Sequence, residues 1–300
     1  MSVIEHGGWY GHFLTAAGLL FLATNPAEGQ VFVPINFGDH PGPATFSKDG
    51  VEVTLQPTTE KQDEFQVSAA IRVPGFQSVI VREESGSGAG YDRYVGLGKL
   101  SATDPAASVI IQGFSGGAHC CATLQVVTPT AGKLKSLSFE PIDGEGMKSF
   151  PVDIDQDGTV DFVRQDDSFR YEFSSGAGSY SPPIIYNIYK GQIVDVTTQP
   201  GFRPLWERFA VQTRTACGDQ ANDDRNGACA AYVAAAARLG KTAAAMAEVE
   251  KLANQKPDVE LPTRCLVALE NYTCPAAKQI KFYTFKSALV WFLHEHGYTD

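Results

Sequence analysis

The feature that most constrains the fold of this chain is a two-residue alternation of apolar and polar side chains, which recurs between residues 30 and 200. Alternation with this period is typical of β-strands that are buried on one face. It is found at Val51, Val53 and Leu55, at 65–73, and at Phe169, Tyr171 and Phe173. Gly and Pro separate the apolar segments, and no helix-period segment of useful length lies between them. We therefore predict an antiparallel all-β domain over residues 30–200.

The sequence after Pro200 has a different character, because its apolar residues recur with a helical period. Helices are predicted at 228–239, 243–254 and 285–296. Gly240 suits the C-terminal cap of the first of these helices, and Thr242 suits the N-cap of the second. We predict a small α-helical domain over residues 201–300, so the chain as a whole belongs to the α+β class.

An uncharged apolar run near the N-terminus, residues 13–23, has the length of the hydrophobic region of a signal peptide. Small residues follow it, so we predict a signal peptide over residues 1–29, with cleavage near Gly29. The segment before the run carries no Lys or Arg, which leaves a misassigned start or an uncleaved anchor as alternatives. No later segment approaches the roughly 20 apolar residues of a membrane span. We expect a periplasmic or extracellular protein with no membrane span in the mature chain.

Six cysteines support export, because an even number behind a signal-like segment favours disulfide bonds. The favoured pairing closes two short loops in the helical domain, with bonds from Cys217 to Cys229 and from Cys265 to Cys274. Crossed pairing among these four is the alternative. Cys120 and Cys121 then remain for each other, although adjacent Cα atoms lie about 3.8 Å apart, below the roughly 4.4–6.8 Å window of disulfides. Binding of a soft metal by these two cysteines and His119 is a further alternative.

The charge of the chain is negative and unevenly distributed. The net charge of -10 results from 34 acidic and 24 basic residues. Nucleic-acid binding requires a clustered excess of Lys and Arg, so we expect no nucleic-acid partner. Between Glu140 and Glu172, ten carboxylates accompany only three basic side chains. Such an excess of negative charge indicates a site for a cation.

Within this acidic stretch, residues 153–161 read Asp-Ile-Asp-Gln-Asp-Gly-Thr-Val-Asp. Ca²⁺ takes six to eight oxygen ligands, and alternating carboxylates wrapped around a Gly turn supply them. Gly158 permits the turn, and Thr159 can offer a backbone carbonyl. The first nine positions match an EF-hand loop, but Arg164 stands at the twelfth position, where a bidentate Glu is needed. The flanking residues also favour strands over helices, so we disfavour an EF-hand.

The loop resembles the calcium loops of integrin-type FG-GAP and VCBS repeats, in which Asp-x-Asp-x-Asp-Gly-x-x-Asp joins two strands of a propeller blade. The resemblance covers about residues 152–163, in a single copy, and residues 30–200 are too few for a closed propeller of four or more blades. The loop can occur without a whole propeller, so we expect a sandwich or propeller-like β domain. The resemblance implies that its calcium is structural. The implied ligands are Asp153, Asp155, Asp157, Thr159 and Asp161. The alternative is an acidic, solvated turn.

A second motif, Gly-Phe-Ser-Gly-Gly at residues 113–117, matches the G-x-S-x-G nucleophile elbow of α/β-hydrolases. The elbow requires a following helix, whereas residues 121–127 favour a strand, and a catalytic triad would have to use His294 or His296. We therefore favour a Gly-rich bend between two strands, and a secreted serine esterase that uses Ser115 is the alternative function.

The next residues, Gly-Gly-Ala-His-Cys-Cys at 116–121, are similar to a segment of secreted bacterial proteins of unassigned function, which often carry an Asp-rich calcium loop downstream. We expect an exported, non-catalytic binding or structural protein with a calcium-stabilised β domain. Its partner would be an unidentified protein or envelope component. A third possibility is an inhibitor or adhesin that binds through an exposed loop such as residues 85–90.

Overall fold

The computed structural model of the chain describes residues 30–300 except 36, 38–41, 59–65, 84–92, 115–119, 145, 257–258 and 268–272. The predicted signal peptide over 1–29, the loop at 85–90, His119 and the candidate nucleophile Ser115 lie outside the described residues. No helix in the described part of the chain is long and apolar enough to cross a membrane.

The region predicted to be all-β contains twelve strands among its described residues. Their bounds are β1 (Val31–Ile35), β2 (Ala44–Lys48), β3 (Val51–Pro57), β4 (Val67–Arg72), β5 (Val79–Arg82), β6 (Arg93–Gly98), β7 (Ser108–Phe114), β8 (Ala122–Thr130), β9 (Lys133–Ile142), β10 (Phe162–Gln165), β11 (Pro183–Tyr189) and β12 (Gln192–Asp195). All the strand pairs are antiparallel.

Two of the sheets face each other and share one core. The first has the strand order β2-β3-β4-β5, and the second has the order β1-β6-β7-β8-β9. Val53 and Leu55 of β3 are at most 1% exposed, and they belong to the same apolar cluster as Val95 of β6 and Val109 of β7. Burial of one face of each sheet against the other defines a β-sandwich. The prediction of antiparallel β structure is confirmed.

A third sheet, β10-β11-β12, lies between the sandwich and the helices. On one side, Phe162 of β10 contacts Phe139 of β9, with ring centroids 5.3 Å apart. On the other side, Ile185 of β11 belongs to an apolar cluster with Trp206. The β11–β12 hairpin turns at Lys190 and Gly191, which both have positive φ, at 49° and 68°, as a type I′ turn requires.

The C-terminal region is helical, as predicted. Its elements are α1 (Arg203–Cys217), α2 (Asn226–Arg238), α3 (Thr242–Leu252), the hairpin β13 (Thr263–Cys265) and β14 (Gln279–Lys281), and α4 (Phe285–Glu295). Helix α1 was not among the predicted helices. Gly240 has a φ of 72° and ends α2, as expected. Thr242 is the first residue of α3 and not its N-cap, which is Lys241.

The predicted strand at Phe169, Tyr171 and Phe173 is wrong. Asp166 accepts a hydrogen bond from the backbone N–H of Ser168 at 3.0 Å and caps a short 3-10 helix at Asp167–Phe169. Tyr171 has a φ of 59°, which interrupts an extended chain. The alternation instead places the rings of Phe169 and Phe173 in the core of the helical region.

All six cysteines are bonded in the pattern favoured from the sequence. Cys217 is bonded to Cys229, with Cα atoms 4.7 Å apart, and Cys265 is bonded to Cys274, with Cα atoms 5.7 Å apart. The first bond joins α1 to α2, whose small alanines allow the two helices to approach closely. Cys120 is bonded to its neighbour Cys121.

Candidate metal site

The Asp-rich loop at 153–161 closes on itself immediately before β10. Val152 and Asp161 form an isolated antiparallel bridge, in which Asp161 N–H donates to the carbonyl of Val152 at 2.9 Å. This bridge brings the two ends of the loop together. The residues that flank the loop are therefore paired as in a β-sheet at this one position, and the loop between them is not part of a continuous strand pair.

Two other parts of the chain hold the end of the loop in place. Val160 N–H donates to the carbonyl of Leu100 at 2.7 Å. The side-chain amide of Asn187, on β11, donates to the carbonyl of Val160 at 3.1 Å and to Asp161 Oδ1 at 2.7 Å. The position of the Asp161 carboxylate therefore depends on the sandwich and on the third sheet.

Three of the four predicted carboxylates converge. One oxygen each from Asp153, Asp155 and Asp161 lies within 4.8 Å of the others. Asp153 also accepts hydrogen bonds from the backbone N–H groups of Asp157, at 3.1 Å, and of Gly158, at 2.8 Å. Gly158 has a φ of 89°, so the turn that brings these donors to Asp153 requires the left-handed conformation that glycine adopts freely.

Asp157, the fourth predicted carboxylate, does not belong to this group of three. The ligand predicted from Thr159 is its backbone carbonyl, and this part of the site stays a prediction. The carboxylate of Asp157 accepts a hydrogen bond from Thr159 N–H at 2.7 Å, and Asp157 is exposed. Its Oδ1 is therefore directed toward the loop backbone. Both residues nevertheless remain in the turn between Asp155 and Asp161.

Two of the three convergent carboxylates, Asp161 and Asp155, have raised pKa values. Burial raises the pKa of Asp161 to about 6, and the negative charges of Asp155 and Asp153 act in the same direction. Hydrogen bonds to Asp161 from Ile154 N–H, at 2.7 Å, and from Asn187 oppose this shift only in part. The pKa of Asp155 is also raised, first by burial and then by neighbouring carboxylates. A bound cation would reverse these penalties, because it favours the ionised forms.

Asp155 has a further property that hydrogen bonding does not account for. Its Oδ1 atom is buried and, within the described part of the chain, has no hydrogen-bond partner. Buried polar atoms are almost always paired, since an unpaired one loses the hydration that it had in the unfolded chain. Coordination to a metal ion is one way in which such an oxygen is satisfied.

Asn187 and Gly201 also belong to the surroundings of this site, but sequence analysis did not identify them. A Cβ on Gly201 would lie 2.7 Å from the Cβ of Asp155, so only glycine allows the loop to approach the residues before α1. Ile154 belongs to the apolar cluster that contains Trp206 of α1. The loop therefore contacts the helical region as well as the sheets. No local motif marks either residue.

A second buried carboxylate lies between the two sheets of the sandwich. Arg93 Nε and Nη2 donate to Glu83 Oε2 at 3.2 and 3.1 Å, and the two side chains are 2% and 6% exposed. Burial raises the pKa of Glu83, and the charge of Arg93 partly opposes that shift. This pair was not predicted, because a single Glu and a single Arg form no sequence motif.

The structure describes the two sides of the Gly-Phe-Ser-Gly-Gly segment but not Ser115 itself. Phe114 ends β7, and the next described strand, β8, begins at Ala122 and pairs antiparallel with β7 through Phe114 and Ala122. His294 lies in the last turn of α4, and His296 is the residue that caps that helix. The esterase hypothesis remains a prediction.

The helical region matches a known family. Residues 207–297 match the family described as the sll0997 C-terminal domain. The matched range includes most of α1 and all of α2, α3 and α4.

Two relatives match most of the chain. The "Probable thylakoid lumen protein sll0997" of Synechocystis sp. (strain ATCC 27184 / PCC 6803 / Kazusa) is 28% identical over 264 residues, which are 84% of this chain and 75% of that protein. The "Uncharacterized protein y4bJ" of Sinorhizobium fredii (strain NBRC 101917 / NGR234) is 27% identical over 264 residues, 85% of this chain and 40% of that protein. The match thus spans less than half of the second relative. No solved structure matches this chain at a significant level.

Proposed function

We propose that this chain is an exported, non-catalytic binding or structural protein whose β region is stabilised by a calcium ion in the loop at 153–161. The ion would be bound by the carboxylates of Asp153, Asp155 and Asp161, with Asp157 and the carbonyl of Thr159 completing the ligand set that the FG-GAP resemblance implies. The partner would be an unidentified protein or a component of the cell envelope.

The observation that carries this proposal is the convergence of three carboxylates, one of which, Asp155, also has a buried oxygen without a hydrogen-bond partner among the described residues. The group contains only hard oxygen donors, which suit Ca²⁺ better than zinc or copper. Mg²⁺ requires near-ideal octahedral geometry at about 2.0–2.1 Å, whereas Ca²⁺ accepts six to eight ligands in irregular arrangements. A turn that supplies three carboxylates, with two further oxygen donors nearby, favours the larger ion.

Calcium in this loop would act as a structural ion. The loop contacts the Leu100 segment, β11 and the residues before α1. A bound cation would offset both the burial of these carboxylates and their mutual repulsion, which together raise the pKa values of Asp155 and Asp161. The expected effect is on the stability of the protein and on the order of the loop.

Two observations support export. The Synechocystis relative is described as a probable thylakoid lumen protein, and a protein of that compartment has crossed a membrane. The cysteines of this chain are joined in disulfide bonds, which persist in oxidising compartments. A periplasmic or extracellular location, reached through a signal peptide at 1–29, is consistent with both.

The test is thermal and chemical unfolding of the purified protein in EDTA and in Ca²⁺. We expect calcium at a hundred times its dissociation constant to raise the free energy of unfolding by about 2.7 kcal/mol. Asp155→Asn should abolish this increase. Asp49→Asn is the matched control, because Asp49 is an exposed residue in the β2–β3 turn and its loss should leave the response intact. Identical unfolding with and without calcium, together with no bound calcium in elemental analysis, would refute the proposal.

A further inference from the structure

The three disulfides of this protein differ in sequence separation and in exposure. Cys217 and Cys229 are separated by 12 residues, and both are 0% exposed. Cys265 and Cys274 are separated by 9 residues and are partly buried. Cys120 and Cys121 are adjacent, Cys120 is exposed and Cys121 is partly buried. The adjacent pair therefore combines the shortest separation with the greatest exposure.

Sequence separation determines how much a disulfide can stabilise a fold. A disulfide acts mainly by restricting the unfolded chain, and the restriction grows with the length of the loop that it closes. A bond between adjacent residues closes no loop between distant parts of the chain. Cys120–Cys121 thus cannot stabilise the tertiary structure as Cys217–Cys229 does, so stability alone gives no reason for its presence.

Exposure determines whether another thiol can reach a disulfide. Exchange proceeds by attack of a thiolate on one sulfur atom, and its rate depends on access to that atom. Cys120 is exposed, whereas both sulfur atoms of Cys217–Cys229 belong to fully buried residues. Cys121 directly precedes β8, whose residues from Ala122 to Pro129 are buried. The disulfide is therefore accessible at Cys120, and it directly precedes a strand whose residues are buried in the core.

We propose that Cys120–Cys121 is a reversible thiol–disulfide exchange site whose reaction partner is a protein dithiol of the thioredoxin type. This inference goes beyond the proposed function and does not depend on calcium. A thiolate of the partner attacks Cys120 Sγ, the bond to Cys121 breaks, and Cys121 leaves as a thiolate that takes a proton from water. The partner's second thiolate then attacks the partner sulfur in the mixed disulfide. Cys120 is released and protonated in turn.

The electrons and protons balance in this exchange. The cysteine pair gains two electrons and two protons, and the partner dithiol loses two of each as it forms its own disulfide. The reverse sequence restores Cys120–Cys121. Since the bond closes no long loop, reduction should leave the sandwich and the helical region folded.

The first test needs no variant. The purified protein is treated with increasing concentrations of a soluble dithiol under native conditions, the thiols are alkylated, and labelled peptides are quantified by mass spectrometry. We expect Cys120 and Cys121 to be labelled first, Cys265 and Cys274 next, and Cys217 and Cys229 only after unfolding. The circular dichroism spectrum should be unchanged when the first pair is reduced. Labelling of Cys120 without any reductant, or reduction of this pair after Cys265–Cys274, would overturn the proposal.

The second test identifies the partner class. A thioredoxin-like protein whose resolving cysteine is replaced by Ser should form a mixed disulfide with this protein, visible as a complex that disappears on addition of excess reductant. The double variant Cys120→Ser/Cys121→Ser should form no such complex, whereas the control variant Cys265→Ser/Cys274→Ser should form it undiminished. A complex that persists in the first variant, or none with the unmodified protein, would contradict exchange at this pair.

Discussion

The loop at 153–161 and the Glu83–Arg93 pair both place carboxylates inside the fold, but they differ in how the negative charge is balanced. Glu83 has a guanidinium within 3.1 Å. Asp153, Asp155 and Asp161 lie within 4.8 Å of one another, and no described Lys, Arg or His forms an ion pair with any of them. The Glu83–Arg93 pair thus contains its own cation, whereas the described residues around the loop offer its carboxylates only backbone and amide donors.

This difference teaches that buried charge alone does not indicate a ligand site. The pKa of Glu83 is raised, as are those of Asp155 and Asp161. What separates the two regions is the net local charge, which is zero for the Glu83–Arg93 pair and negative for the loop, because a charge that is paired within the chain needs no external ion. Three predictions test the comparison, in order of decreasing expected effect.

The largest effect is expected from removal of the internal cation. We expect Arg93→Met to lower the free energy of unfolding by about 3–5 kcal/mol, because it leaves Glu83 buried without its counter-charge. Urea denaturation measures the loss. The double variant Glu83→Gln/Arg93→Met should recover much of it, since the uncompensated charge is gone. A loss below about 1 kcal/mol, the value of an exposed ion pair, would show that the pair is not effectively buried.

The second prediction concerns the pH dependence of the calcium-free protein. The folded pKa of Asp161, about 6, lies above its ordinary value of 3.8, so the folded state binds a proton more readily than the unfolded state. Ionisation of Asp161 therefore destabilises the fold above the folded pKa, and this penalty disappears as the pH falls from about 7 toward 4. Its upper bound is about 3 kcal/mol.

The measurement is the free energy of unfolding in EDTA at several pH values, for the unmodified protein and for Asp161→Asn. The unmodified protein should gain stability relative to the variant as the pH falls through about 6. In saturating calcium the trend should reverse, because the ion binds the carboxylate and not the acid. A difference that does not vary with pH would mean that Asp161 is not perturbed by its neighbours.

The smallest expected effect is that of Asp155→Asn, and its sign should differ between calcium-free and calcium-saturated solutions. In EDTA we expect Asp155→Asn to raise the free energy of unfolding by on the order of 0.5 kcal/mol, because it removes repulsion of the size found for partly screened charge pairs. The same substitution should make the protein the less stable one when calcium is saturating. Melting curves of both proteins in the two solutions provide the comparison. Destabilisation by Asp155→Asn even without calcium would show that its carboxylate has a favourable role within the chain itself.

Much of the fold could be predicted from short-range patterns. The alternation at Val51, Val53 and Leu55 placed these side chains in the core correctly. The favoured pairing of the four cysteines in the helical region followed from loop length. Each of these patterns depends on residues close together in sequence.

Two elements of the fold were not predicted correctly, namely the segment at 169–173 and helix α1. Phe169, Tyr171 and Phe173 alternate like a strand, but the Asp166 side chain caps a 3-10 turn, and this local hydrogen bond outweighs the alternation. Helix α1 was not predicted because no side-chain cap marks its start, although its buried residues Leu205, Trp206 and Phe209 recur with a helical period. Its formation depends on the packing of Leu205, Trp206 and Phe209 in the core.

The sequence by itself determined the succession of a β-rich and a helical part and the presence of a turn rich in carboxylates, and it favoured the observed cysteine pairs, because period, Asp spacing and loop length are local properties of the chain. The tertiary structure decided which carboxylates converge, since the position of Asp161 depends on Val152 and Asn187, and that of Asp155 on Gly201. It also placed Arg93 beside Glu83. The balance of charge at each site therefore depends on contacts between segments that are distant in sequence, which no local pattern records.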